Sequence, residues 1–124
     1  MARILLIDDD ESFRGVLKVS LEQMGHTVTE ACDGRSGLER FTAGVFDVVV
    51  TDLIMPDKEG IETIMDLRKL NPAVKIIAMS GGGRVTSVDY LQIARQVGAK
   101  QILAKPFLYE DMKVAIEELM APAA

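Results

Sequence analysis

The chain reads as an α/β domain built around a parallel sheet. Five short strand-like runs are separated by segments with helical spacing, and four of those runs, residues 4–7, 48–50, 76–79 and 102–104, are apolar without interruption. Strands covered by helices on both faces look like this, whereas a strand wetted on one face alternates. Polar residues follow these runs directly, which gives Asp8, Asp9, Asp52, Ser80 and Lys105 a common place at the carboxyl edge of the sheet. In open α/β sheets that edge is where ligands bind.

The elements follow in order. After the first strand, Phe13, Val16, Leu17, Leu21 and Met24 recur at helical spacing, and Gly25 closes the helix. Residues 27–31 alternate as an edge strand does, and Asp33-Gly34 turns the chain into a short helix carrying Leu38 and Phe41 that Gly44 ends. A strand over residues 46–51 leads through a loop, residues 55–60, to a helix with Ile61, Ile64, Met65 and Leu67 that Asn71-Pro72 stops. The fourth strand begins near Val74. Gly81, Gly82 and Gly83 precede a helix with Tyr90, Leu91, Ala94 and Val97 that Gly98 caps, followed by the strand at Ile102 and a last helix with Met112, Ala115, Ile116 and Leu119.

Five strands alternating strictly with five helices, joined by right-handed crossovers, predict a single doubly wound domain over residues 1–124 with the flavodoxin-like strand order 2-1-3-4-5. Strands one and three are then neighbours, so Asp8 and Asp9 lie beside Asp52 at the switch point. The length suits one domain, and 48% hydrophobic residues suffice to fill its core. A formal net charge of −5 argues against a nucleic-acid surface and points to proteins or a cation as partners. No apolar stretch is long enough to span a bilayer and no signal peptide is evident, so a cytoplasmic protein without a membrane partner is expected. Cys32 is the only cysteine and reads as a small buried side chain, and His26 as a loop residue before a strand.

Each candidate residue has a structural explanation of its own. Acids such as Asp8, Asp9 and Asp10 cap helices, Asp52 could open a turn, Ser80 could precede the glycines as a turn residue, and Lys105 could be a solvated strand end. Capping explains Asp10 well, but not why Asp52 and Lys105 also end strands. Clustered carboxylates repel unless a cation compensates, and Mg²⁺ takes carboxylate, carbonyl and water oxygens, often beside a phosphate.

At this point the chain resembles the receiver domain of two-component response regulators, over nearly all of its length. The resemblance rests on Ile4-Leu5-Leu6-Ile7-Asp8-Asp9-Asp10, on the segment from Val50-Thr51-Asp52 through Met55-Pro56 to Gly60, on Ala78-Met79-Ser80-Gly81 and on Ala104-Lys105-Pro106-Phe107. It implies phosphorylation of Asp52 by a histidine kinase or histidine phosphotransfer protein. It also implies Mg²⁺ held by Asp9, Asp52 and the Ile54 carbonyl with Asp8 in support, and Ser80 and Lys105 on the phosphoryl oxygens. Such a protein catalyses only its own phosphotransfer and dephosphorylation. It signals to a downstream protein through the fourth helix, fifth strand and fifth helix, a surface that here includes Tyr90, Gln92, Lys100, Gln101 and Tyr109. Because the chain ends soon after the last helix, a stand-alone receiver is expected, with an excised receiver as the alternative.

Two departures from the family pattern stand out. Ile102 occupies a position that usually holds an aromatic, so the usual aromatic readout of activation is missing. The segment after Ser80 is longer and richer in glycine than the common pattern, which makes residues 81–87 the expected moving part. Among rivals, a haloacid-dehalogenase-like phosphatase would use Asp8 as nucleophile and Asp10 as general acid, but the acids after Lys105, Glu110 and Asp111, fall in a helix. A flavodoxin-type nucleotide binder would offer hydroxyls and amides in the first loop, where this chain is acidic.

Overall fold

The computed structural model describes residues 2–53, 60–80, 92, 95, 96, 98–105 and 107–121, with the backbone alone at residue 80. In chain order the elements are β1 (Arg3–Ile7), α1 (Glu11–Gln23), β2 (Thr27–Ala31), α2 (Gly34–Ala43), β3 (Val48–Asp52), α3 (Gly60–Leu70), β4 (Ile76–Ser80), β5 (Gln101–Ala104) and a C-terminal helix, here α4 (Tyr109–Met120). The sheet has the order β2-β1-β3-β4-β5 with every pair parallel, as the alternation of runs predicts. Four helices are complete among the described residues. Gln92, Arg95 and Gln96 are helical within the segment where a further helix is predicted, while Tyr90, Leu91, Ala94, Val97 and the run from Gly81 to Ser87 lie outside the described residues.

The central strands β1, β3 and β4 carry uninterrupted apolar runs because each face of the sheet has its own core. Leu5, Ile7, Val49, Ile76 and Ala78 pack with Ile64 and Leu67 of α3. Ile4, Leu6, Val48, Val50, Ile77 and Met79 pack with Leu17 and Leu21 of α1 and with Met112, Ala115 and Ile116 of α4. Successive strand residues point to opposite faces, so one run feeds both cores. Burial of each of these large aliphatic side chains contributes about 1.5–3 kcal/mol.

Local chemistry sets the element ends. Asp10 caps α1 by accepting the Phe13 N–H at 3.0 Å, and Gly25, at φ 98°, takes the left-handed turn that leads to β2. Asp33 caps α2, accepting the Ser36 N–H at 2.8 Å while its own N–H donates to the Ser36 hydroxyl at 3.3 Å. Asp111 reaches back to the Leu108 N–H at 2.9 Å at the start of α4.

The structure corrects the sequence reading at several points. β3 starts at Val48 rather than residue 46, because the Asp47 carboxylate accepts the Arg3 N–H at 2.8 Å where a ladder bond would otherwise form. β4 starts at Ile76 rather than near Val74, whose N–H is used in a turn to the Asn71 carbonyl at 3.0 Å. Val16 is 70% exposed and Met65 is 45% exposed, so neither belongs to the core stripe of its helix. Cys32 is exposed rather than buried, because it sits one residue beyond the end of β2, with its sulfur 3.9 Å from the Ser36 hydroxyl.

Candidate functional site

β1 delivers Asp8 to the carboxyl edge, where its N–H extends the pairing with β2 by donating to the Ala31 carbonyl at 3.1 Å. The carboxylate turns inward and is fully buried. Its Oδ1 accepts the Asp10 N–H at 2.9 Å, and its Oδ2 accepts from Lys105 Nζ at 2.8 Å. The last residue of neighbouring β3 is Asp52, 5% exposed, whose Oδ1 accepts the Leu53 N–H at 2.9 Å and whose Oδ2 lies 3.7 Å from the same ammonium. Asp9 stands exposed at the mouth. Asp8, Asp9 and Asp52 each offer an oxygen, and these oxygens all lie within 4.8 Å of one another.

Among the described residues, three carboxylates gather around one ammonium. Hard oxygen donors gathered this closely could hold a divalent cation. The predicted ligand at the Ile54 carbonyl lies outside the described residues. Ser80 ends β4 opposite Ala104, next to Lys105, as predicted, and its side chain lies outside the described residues too. So does the Lys105-Pro106 peptide bond.

Two supporting residues, Arg14 and Phe13, escaped the sequence reading in these roles, and a third, Gly60, was named there only as the end of the segment after Asp52. The Arg14 guanidinium donates to the Asp8 carbonyl at 2.7 Å and to Glu30 Oε1 at 2.9 Å, which braces the acidic loop against the edge strand. Its signal was a basic residue one turn into a helix that starts acidic. Phe13, read only as core, lies with its ring centroid 4.0 Å from Lys105 Nζ and meets Phe107 edge to face at 5.9 Å. Gly60 opens α3 so close to the Asp52 carbonyl and the Leu53 backbone that a Cβ there would collide with both. Its N–H donates to the Leu53 carbonyl at 2.9 Å. Only glycine fits at that approach.

The phosphatase alternative loses its general acid here, since Asp10 is engaged in capping α1. What remains is a doubly wound α/β domain with an acidic, lysine-bearing pocket at the switch point between β1 and β3. The family model of the response regulator receiver domain matches residues 4–117. The chain belongs to that family, whose members are the signalling domains of two-component systems and work with histidine kinases and downstream targets. Response regulator receiver protein CpdR of Brucella abortus is 32% identical over 123 residues, covering 99% of this chain and 100% of that protein. Transcriptional regulatory protein ZraR of Escherichia coli is 33% identical over 118 residues, 95% of this chain but 26% of ZraR, so the chain spans about a quarter of the length of the first curated relatives it matches. A solved response regulator receiver domain protein from Clostridium thermocellum superposes with a TM-score of 0.89 at 32% identity, covering 97% of this chain and 94% of that one.

Proposed function

We propose that Asp52 accepts a phosphoryl group from a phosphohistidine on a kinase or phosphotransfer protein, and that the acyl phosphate so formed switches a protein-binding surface. A carboxylate oxygen of Asp52 attacks phosphorus, the P–N bond to the donor imidazole breaks, and the imidazole leaves with that electron pair. Asp9 and Asp52, with Asp8 beside them, would hold Mg²⁺, which supplies charge neutralisation for the transferring phosphoryl oxygens. Lys105 is suited to contact one of those oxygens, since its ammonium already stands near Asp52, and the family pattern gives Ser80 a like role. The observation that carries this reading is the buried Asp52 carboxylate, 3.7 Å from the Lys105 ammonium and within ligand distance of Asp8 and Asp9. Such a protein works in the cytoplasm, where its donor and targets are.

Incubation with acetyl phosphate and Mg²⁺, followed by intact-mass analysis, should add one phosphoryl group that Asp52→Asn abolishes and a chelator suppresses. Modification that survives in Asp52→Asn but disappears in Asp8→Asn would overturn the assignment.

A further inference from the structure

We infer that Phe13 is a positioning residue for Lys105, and that its ring, steadied by Phe107, fixes where the ammonium waits for the phosphoryl group. A lysine side chain is a flexible four-carbon stem ending in a point charge with three N–H donors. Here Asp8 receives the ammonium at 2.8 Å and Asp52 lies at 3.7 Å, both on the acidic side of the pocket. With those contacts alone the charge would be drawn toward Asp8, away from the acceptor. The Phe13 ring takes up a further direction, with its centroid 4.0 Å from Nζ, and an aromatic face attracts a cation at that distance. Attraction to a ring face is weakly dependent on angle, so the ring holds the ammonium in the pocket and leaves its donors able to turn toward a new oxygen.

The ring is itself held in register with the acids. Phe13 lies in the first turn of α1, and its N–H bonds the Asp10 carboxylate that caps that helix, so one turn of chain carries both the acidic loop and the aromatic seat. From the other side Phe107, two residues past Lys105, meets Phe13 at 89° between ring planes, the edge-to-face arrangement that aromatic quadrupoles favour. The sheet contributes the lysine and α1 the ring, and the aromatic pair ties them together.

This inference rests on Lys105 serving the phosphoryl group, and its test separates the two claims. In the unsubstituted protein the Lys105 Cε protons should be displaced upfield by the ring current of Phe13. That displacement should vanish in Phe13→Leu and persist in Phe13→Tyr. Phosphorylation of Phe13→Leu by acetyl phosphate should be about fivefold slower, with Phe13→Tyr close to the parent rate and Mg²⁺ affinity, by calorimetry, within about twofold in all three. Absence of the ring-current displacement in the unsubstituted protein overturns the inference without any variant having to fold. A Phe13→Leu protein that phosphorylates at the parent rate overturns it as well, and so does a Phe13→Tyr protein as slow as Phe13→Leu. Should the parent take up no phosphoryl group, the functional reading falls while the ring-current measurement still decides where Phe13 holds the lysine.

Discussion

At the amino edge of the sheet His26 Nδ1 accepts the Ala2 N–H at 3.0 Å and Asp47 accepts that of Arg3 at 2.8 Å, while at the carboxyl edge Asp8 and Asp52 both face the ammonium of Lys105. The amino-edge side chains complete the backbone of an adjacent strand and need nothing more. At the carboxyl edge backbone N–H groups supply part of the bonding, but among the described residues the charges are left to one another, and the excess there is negative. Polar groups that satisfy the backbone stabilise a fold. Polar groups assembled with a surplus of one charge leave work for a ligand.

Removing the ammonium tests this contrast most severely. Lys105→Ala leaves Asp8 and Asp52 buried without their cation, and breaking a largely buried pair in this way should cost about 3 kcal/mol. Added Mg²⁺ should restore part of that loss and stabilise the variant more than the parent, since a ligand that binds only the folded state raises its stability. Urea unfolding with and without Mg²⁺ reads both effects, and an unchanged midpoint in the variant would remove the basis for the contrast.

A smaller effect is expected where a carboxyl-edge acid does backbone work instead. The N–H of Ser36 and then its hydroxyl hold the Asp33 carboxyl below its ordinary range. Asp33→Ala should cost about 1 kcal/mol as a lost helix cap, independently of Mg²⁺. Because the folded value is the lower one, the unfolded chain takes up the proton first as pH falls. The contribution is therefore present above the ordinary value of 3.8 and disappears as pH drops through the folded value. Parent and variant should converge in urea midpoint under acid conditions, and a constant gap down to the acid limit would contradict the cap.

The amino edge should give the smallest response, with the opposite chemistry. Burial, as the main cause, holds the His26 imidazole below its ordinary value of 6.5, against the pull of Glu117. Lys113 and Tyr109 of α4 line the same groove. Here too the unfolded chain protonates first, so stability should decline as pH falls below 6.5 toward the folded value, where an imidazolium could no longer accept the Ala2 N–H. His26→Gln should flatten that part of the profile. Equal slopes for parent and variant in urea midpoints on either side of 6.5 would show that His26 does not govern it.

The site was legible in the sequence to the extent that it depends on strand ends. Asp8, Asp52 and Lys105 each follow an apolar run, and parallel pairing across β1, β3, β4 and β5 aligns those ends without reference to any side-chain trajectory. Phe13 over Lys105 and Arg14 on the Asp8 carbonyl were not legible, because each depends on how a helix side chain reaches across to a distant loop or strand. Helical periodicity also overfilled the core. Val16 adjoins Leu17 in sequence but lies about 100° around the helix from it, so a list of apolar residues admits both while the sheet covers only Leu17. Cys32 was misjudged because residue type predicts average burial, and its position one residue past β2 decided the matter.

The bond between Lys105 and Asp8 joins positions 97 residues apart. Closing so long a loop costs only slightly more entropy than closing a shorter one, yet neither partner reaches the other until strands from both ends of the chain have joined the sheet. For a contact so remote in sequence, the pocket is expected to form late in folding. A partly folded chain carries the acids without the ammonium that answers them, so competence to receive a signal and completion of the fold arrive together.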